Sequence, residues 1–185
     1  MQKKIYLIIA VVFISCATYL GKSDKLINYV DPFIGSGGHG HVFVGANVPF
    51  GGVQVGPTNF NKGWDWSSSY HHTDSIVKGF CHINVSGTGM SDLGELTIMP
   101  ATGKLMTGAG SQNNHMAGYS SLYYKDKEHA SVGYYKVHLE RYDIDVELTA
   151  TERVGLHKYR FPKSDQSRVI IDLVKEVQID QRKHI

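Results

Sequence analysis

Two tryptophans one residue apart, Trp64 and Trp66, flank Asp65 in the run Gly63-Trp64-Asp65-Trp66-Ser67-Ser68-Ser69-Tyr70-His71-His72. An indole face packs against the C–H face of a sugar ring, while neighbouring Asp, Ser, Tyr and His groups suit its hydroxyls. In an alternating strand the two tryptophans would share a face, and the competing use for at least one of them is in the core. Upstream, His39 and His41 lie in and just after a glycine-rich run, Gly35-Ser36-Gly37-Gly38-His39-Gly40, and would also share a face of a strand. A second tight polar loop, Ser86-Gly87-Thr88-Gly89-Met90-Ser91-Asp92, is either a structural turn or a ligand-facing one.

Other chemistries fit these residues less well. The glycine run matches G-x-G-x-x-G, but a nucleotide-binding loop must open a helix, and Gly45 and Pro49 stand where the helix should run. It reads instead as a glycine-rich loop whose backbone can approach a ligand or another domain closely. A zinc site needs three or four converging ligands, and His39, His41, His71, His72 and His82 have no spacing that forces convergence, so they read as hydrogen-bonding loop residues. There is no G-x-S-x-G elbow and no phosphate-binding Walker loop. The carboxylates Asp92, Glu95, Glu140, Asp143 and Asp145 are scattered, with nothing to mark two of them as acid and base.

The elements that must position these residues are strands. The 185 residues, 42% hydrophobic and 19% charged, suffice for one domain with its own core. A net charge of +2 with no basic block argues against nucleic acid as a partner. Gln2-Lys3-Lys4 before the apolar run Ile5 to Ile14 reads as an export signal over residues 1–22, too short for a comfortable membrane span. Cys16 stands where a bacterial lipoprotein is lipidated; the alternative is ordinary cleavage a few residues later. Either way Cys81 is left as the one thiol, so no intrachain disulfide forms.

Alternation places Tyr135, Val137 and Leu139 on one face, and Ile144, Val146, Leu148 and Ala150 on one face after the turn Arg141-Tyr142-Asp143. Runs over Val154 to Phe161 and Val169 to Leu173 follow, and the four read as an antiparallel meander. Shorter strands are expected over Gly52 to Val55, Gly79 to Val85 and Leu96 to Met99, separated by long loops, with a polar connection over Gly103 to Gly118. No amphipathic helix is evident past residue 24. The stretch from Lys175 to Ile185 fits neither period, and the chain stops there without a capping signal, as a chain cut short would.

Several segments together resemble the family 92 glycoside hydrolases, bacterial exo-acting α-mannosidases. They are Asn28 to Gly35 running into Gly37-Gly38-His39-Gly40-His41, Gly45-Ala46 with Pro49-Phe50-Gly51, Gly63-Trp64-Asp65-Trp66 with Tyr70-His71, Gly79-Phe80 with His82, Ser86-Gly87-Thr88-Gly89, Asp92-Leu93-Gly94, and the tract from Gly133 to Pro162. The resemblance implies that residues 23–185 are an all-β, antiparallel β-sandwich N-terminal domain, incomplete, without the α-helical barrel domain it would pack against. It further implies an exported, calcium-dependent, inverting enzyme acting on α-mannosides of glycans, located in the periplasm or anchored as an outer-membrane lipoprotein. The family's acid, base and most calcium contacts belong to the helical domain, so no catalytic residue and no bound metal is expected in this chain alone. Sugar contacts are expected from Trp64, Asp65, Trp66, His39 and His71, with one of the two tryptophans lent to the sugar site. Ser67-Ser68-Ser69 departs from the family, which commonly has a cysteine and a glycine there. The rival reading is a non-catalytic carbohydrate-binding or assembly module that pairs with a separate catalytic chain.

Overall fold

The computed structural model describes residues 25–84, 86–87 and 96–173. The chain forms two units, Met1–Val30 and Asp31–Ile185. Of the first, the described residues make a 3-10 turn, Leu26–Tyr29. Cys16, the export signal, residues 88–95 and Lys175 to Ile185 lie outside the described residues.

The second unit is all-β, and every strand pairing in it is antiparallel. Its strands are β1 (Gly56–Thr58), β2 (Ile76–Val77), β3 (Gly79–Cys81), β4 (Thr97–Ala101), β5 (Ser121–Leu122), β6 (Glu128–Ser131), β7 (Tyr134–Leu139), β8 (Ile144–Ala150), β9 (Gly155–Arg160) and β10 (Arg168–Asp172). They form one four-stranded sheet in the order β1-β3-β4-β10, a second in the order β6-β7-β8-β9, and a two-stranded ribbon, β2-β5. Among the described residues helical structure is limited to short 3-10 turns.

The second sheet holds three of the four strands expected in the meander, β7, β8 and β9, and their register follows from side-chain periodicity. Tyr135 faces Leu148, Val137 faces Val146 and Leu139 faces Ile144, and all six are buried. A slip of one residue would turn this whole set to solvent. The other face carries charge: Lys158 pairs with Glu147 at 2.8 Å and His138 with Asp145 at 2.9 Å, cross-strand pairs of the kind that reinforce register. Both four-stranded sheets feed one core, where Phe80, Met99 and Ala101 join the meander residues.

Three expectations need correction. The run Val169 to Leu173 does not extend the meander. As β10 it pairs with β4, Ile170 opposite Met99. Pro162 has no N–H for a ladder, and the polar turn after it carries the chain to the other sheet. The strand expected over Gly52 to Val55 lies further on, at β1. Gly51 N–H closes a turn on the Val48 carbonyl and Gly52 N–H bonds the Glu152 carbonyl, so this backbone is committed to loop contacts, and Val55 makes only an isolated bridge to Ala46. The strand expected over Gly79 to Val85 ends at Cys81, because the His82 carbonyl accepts from Gln54 N–H outside the ladder.

β6 escapes the alternation rule because its inward positions are Glu128 and Ala130. The Glu128 side chain is buried in a specific arrangement. Lys125 Nζ lies 2.9 Å from Glu128 Oε2 and also donates to the Tyr70 hydroxyl at 2.8 Å and the Tyr123 hydroxyl at 3.0 Å. Tyr135 donates to Glu128 Oε1 at 2.7 Å. Lys125 also stands over the Tyr70 and Tyr123 rings. Burial pushes the lysine pKa down, and the Glu128 charge opposes that shift. The ion pair ties Tyr70, and with it the segment before it, to the meander.

The polar connection from Gly103 to Gly118 is tethered rather than free. The Arg141 guanidinium donates to the carbonyls of His115, Met116, Gly118 and Ser120. Gly118 lies so close to the backbone of residues 109 and 110 that a Cβ there would fall 1.9 Å from Gly110 N.

Candidate functional site

Trp64 and Trp66 do not lie on a strand and do not share a face. They occupy a 3-10 turn, Trp64–Trp66, entered through Gly63 at φ 127° and left through Ser67 and Ser69. The turn sends the two indoles to different environments. Trp66 is half-buried: its Nε1–H donates to Asp74 Oδ2 at 3.0 Å, its ring stacks on His71 with centroids 4.2 Å apart, and Lys62 Nζ stands over it. Trp64 is 57% exposed. Trp66 is thus held by side-chain partners, and the open surface falls to Trp64.

His39 and His41 likewise sit on irregular backbone, His41 at φ 52°. The glycine run folds on itself: Gly40 N–H bonds the Gly37 carbonyl and Val42 N–H the Gly35 carbonyl. A Cβ on Gly40 would lie 2.1 Å from the Gly35 oxygen. This close approach brings both imidazoles to one carboxylate oxygen, Asp65 Oδ1, at 2.6 Å from His39 Nδ1 and 3.4 Å from His41 Nε2. The hydrogen bond from His39, more than that from His41, holds the Asp65 carboxyl below its ordinary range, so it is ionised at neutral pH. His41 is buried and meets Trp64 in a T-shaped contact at 4.1 Å, while the exposed His39 ring lies 5.9 Å from the same indole.

His71 is the pivot between the loop and the turn. It is buried, stacks on Trp66, donates from Nε2 to the Gly38 carbonyl at 3.3 Å and accepts the Thr73 hydroxyl at Nδ1, 2.8 Å away. Of the five residues expected at the site, His39, Trp64 and Asp65 form the open part, and Trp66 and His71 hold the loop behind it. Sequence reasoning missed the residues that hold them. Asp74, buried, takes Trp66 and Lys62 on Oδ2 and the backbone N–H groups of Ser75 and Ile76 on Oδ1. Asn59, buried, accepts His71 N–H at 2.9 Å and donates to the Ile76 carbonyl at 2.7 Å. A carboxylate between Thr73 and Ser75 and an Asn just after a strand are ordinary turn signals, and only that signal pointed to them.

His82 lies elsewhere, in the loop after β3. Its Nε2 is 3.1 Å from Nε2 of His157 on β9, whose Nδ1 meets the Tyr159 hydroxyl at 2.6 Å. Burial, then the neighbouring His82, lowers the His157 pKa to about 4. Cys81 is fully buried between Thr58 and Asn84, and burial pushes its thiol up, which leaves it unreactive.

A calcium ion takes six to eight oxygens. Among the described residues no group of three or more His, Cys, Asp or Glu side chains is arranged to hold a metal ion, and the one carboxylate between the tryptophans is taken by two imidazoles. The described residues do not fit calcium.

Residues 29–185 match the glycosyl hydrolase family 92 N-terminal domain. A family 92 α-mannosidase from Bacteroides thetaiotaomicron, solved with mannoimidazole, is 38% identical, with a TM-score of 0.78 over 81% of this chain and 20% of its own. An inverting family 92 mannosidase from the same organism is 23% identical, with a TM-score of 0.60 over 81% of this chain and 20% of its own, a likeness of fold. An uncharacterized secreted glycosidase of Arthroderma benhamiae is 26% identical over 151 residues, 76% of this chain and 18% of that protein. The chain thus spans about a fifth of the length of these relatives.

Proposed function

Because the chain belongs to glycosyl hydrolase family 92, as its N-terminal domain, we propose that it supplies sugar contacts to an exported, inverting exo-α-mannosidase acting on α-mannosides of glycans. The observation that carries this reading is Trp64, 57% exposed on a turn that is otherwise tied down, with His39 and Asp65 beside it. A large apolar ring held rigidly at the surface with polar groups at its rim suits a pyranose.

The domain's part in the reaction is positioning. Inverting hydrolysis needs a carboxylic acid and a carboxylate base about 6.5 to 9.5 Å apart around the scissile bond. Asp65 is committed to His39 and His41, and Asp74 is buried against Trp66 and Lys62. Both catalytic carboxylates, and the calcium, would come from an α-helical barrel domain packed on this one. Titration of the 185-residue chain with methyl α-mannoside, followed by indole fluorescence, tests the contact: Trp64→Ala abolishes the response and Trp66→Phe keeps it. A response that survives Trp64→Ala refutes the assignment. The same chain assayed on aryl mannosides, with and without calcium, is expected to show no turnover.

Export through the N-terminal segment, with lipid attachment at Cys16, completes the reading. Its support is the apolar run ending at Ser15-Cys16. Cys16→Ser should move the protein from the membrane to the soluble fraction, and identical fractionation of the two forms would refute the anchor.

A further inference from the structure

The sugar-contact reading of Trp64 leaves open what the groups beside the ring do, and the contacts of Asp65 narrow this. An ionised carboxylate has no proton to give, so each imidazole that bonds it must donate. His41 therefore donates from Nε2 and His39 from Nδ1, both to Oδ1. When the ring is neutral, with its proton held on Nδ1, the other nitrogen is a bare acceptor. That ring is 79% exposed and tilted at 36° to Trp64, 5.9 Å away. Its direction is fixed from behind, because the loop carrying it is bonded through the Gly38 carbonyl to His71, which is itself stacked on Trp66.

We propose that Asp65 is a positioning residue that holds His39 as its Nδ1–H tautomer, so that His39 Nε2 accepts a hydrogen bond from a hydroxyl of a pyranose stacked on Trp64. The inference rests on the sugar-contact reading and adds a selectivity to it. A bare nitrogen rewards a hydroxyl, which can donate, and disfavours a carboxylate or phosphate, which cannot. The site thus selects neutral sugars over uronates or sugar phosphates at that position. In an Asp65→Asn variant this preference is lost, since the ring is no longer held in one tautomer.

The test uses nitrogen-15 imidazole spectra of the 185-residue chain in alkaline buffer, together with binding of methyl α-mannoside and of the matching mannuronate. A pyrrole-like Nδ1 and a pyridine-like Nε2 at His39 are expected, with Nε2 shifting on addition of the mannoside. Asp65→Asn should mix the two tautomers and weaken the mannoside about tenfold, the loss of roughly one hydrogen bond to a well-placed group. Asp65→Glu should restore part of both effects. His39→Gln, whose amide oxygen still accepts, should bind better than His39→Leu, an ordering that a purely structural role would not produce. An Nε2–H tautomer in the unaltered chain overturns the inference. So does mannoside affinity that Asp65→Asn and His39→Leu leave intact while Trp64→Ala abolishes it, a result that keeps the sugar-contact reading. Affinity indifferent to Trp64→Ala instead removes that reading.

Discussion

The meander and the segment from residue 31 to residue 77 solve the same problem in opposite ways. In the meander the backbone satisfies itself through ladders six residues long between β7, β8 and β9, and side chains are free to pack inward or pair outward. In residues 31–77 the strands are two or three residues long, and side chains take over the backbone's partners. Asn59 serves His71 N–H and the Ile76 carbonyl, and Asp74 serves the N–H groups of Ser75 and Ile76. Each such side chain is hard to replace. In return, a backbone freed from the pleat can present Trp64 to solvent and hold Trp66 beneath it, two residues away, at angles a strand does not allow.

The contrast predicts where substitution hurts. The largest effect is expected where the two regions meet: Glu128→Ala strands Lys125 among tyrosines and should cost about 3 to 5 kcal/mol in urea unfolding. Lys158→Ala on the solvent face of the meander should cost within about 0.5 kcal/mol, and equal losses at the two positions would erase the distinction. Next, Asn59→Ala leaves buried backbone groups of His71 and Ile76 unpaired and should cost about 2 to 3 kcal/mol. Thr149→Ala, which removes an exposed bond to the Gly133 carbonyl, should cost under about 1 kcal/mol. Amide exchange at His71 reads the first directly.

Acid should act on the meander through its one inward histidine pair. His157 binds its proton in the folded state only near pH 4, against an ordinary value of 6.5. A base whose folded pKa is depressed gives its full stability above the unfolded value and loses it as pH falls. Stability should therefore decline between about pH 6.5 and 4, on the order of 1 to 2 kcal/mol once partial solvent screening is allowed for, and His157→Phe should flatten that limb. The smallest effect is a gain. Ser69 adopts φ 70°, a region that favours glycine, so Ser69→Gly should raise stability by about 1 kcal/mol, with the melting temperature as readout.

What could be read from the sequence follows the same divide. Tyr135, Val137, Leu139 and their partners in β8 announce their face because period two survives over a whole strand. β6 was hidden by a glutamate turned inward, and the departure of β10 to the other sheet by the lack of any local signal for which neighbour a strand chooses. At the site, the types and neighbourhood of His39, Trp64, Asp65, Trp66 and His71 were legible and the backbone was not. Shared faces were expected for Trp64 with Trp66, and for His39 with His41. The structure instead uses a 3-10 turn and a self-packed glycine loop, whose shape depends on contacts such as Gly40 against the Gly35 carbonyl. Asn59 and Asp74 fell outside any motif because their partners are backbone groups.

Arg141 gives the long connection before β5 an unequal resistance to proteases. Its guanidinium gathers carbonyls from His115 to Ser120, and Gly118 is wedged against residues 109 and 110, so a protease would have to pull several bonds apart to seat that half in its cleft. The half around Lys104 and Leu105 is exposed and carries no such tether. A protease of broad specificity should therefore nick the chain near Lys104 and Leu105 while sparing the half that Arg141 holds. The two pieces would stay together through the pairing of β4 with β10 and of β2 with β5, one folded body made of two peptides.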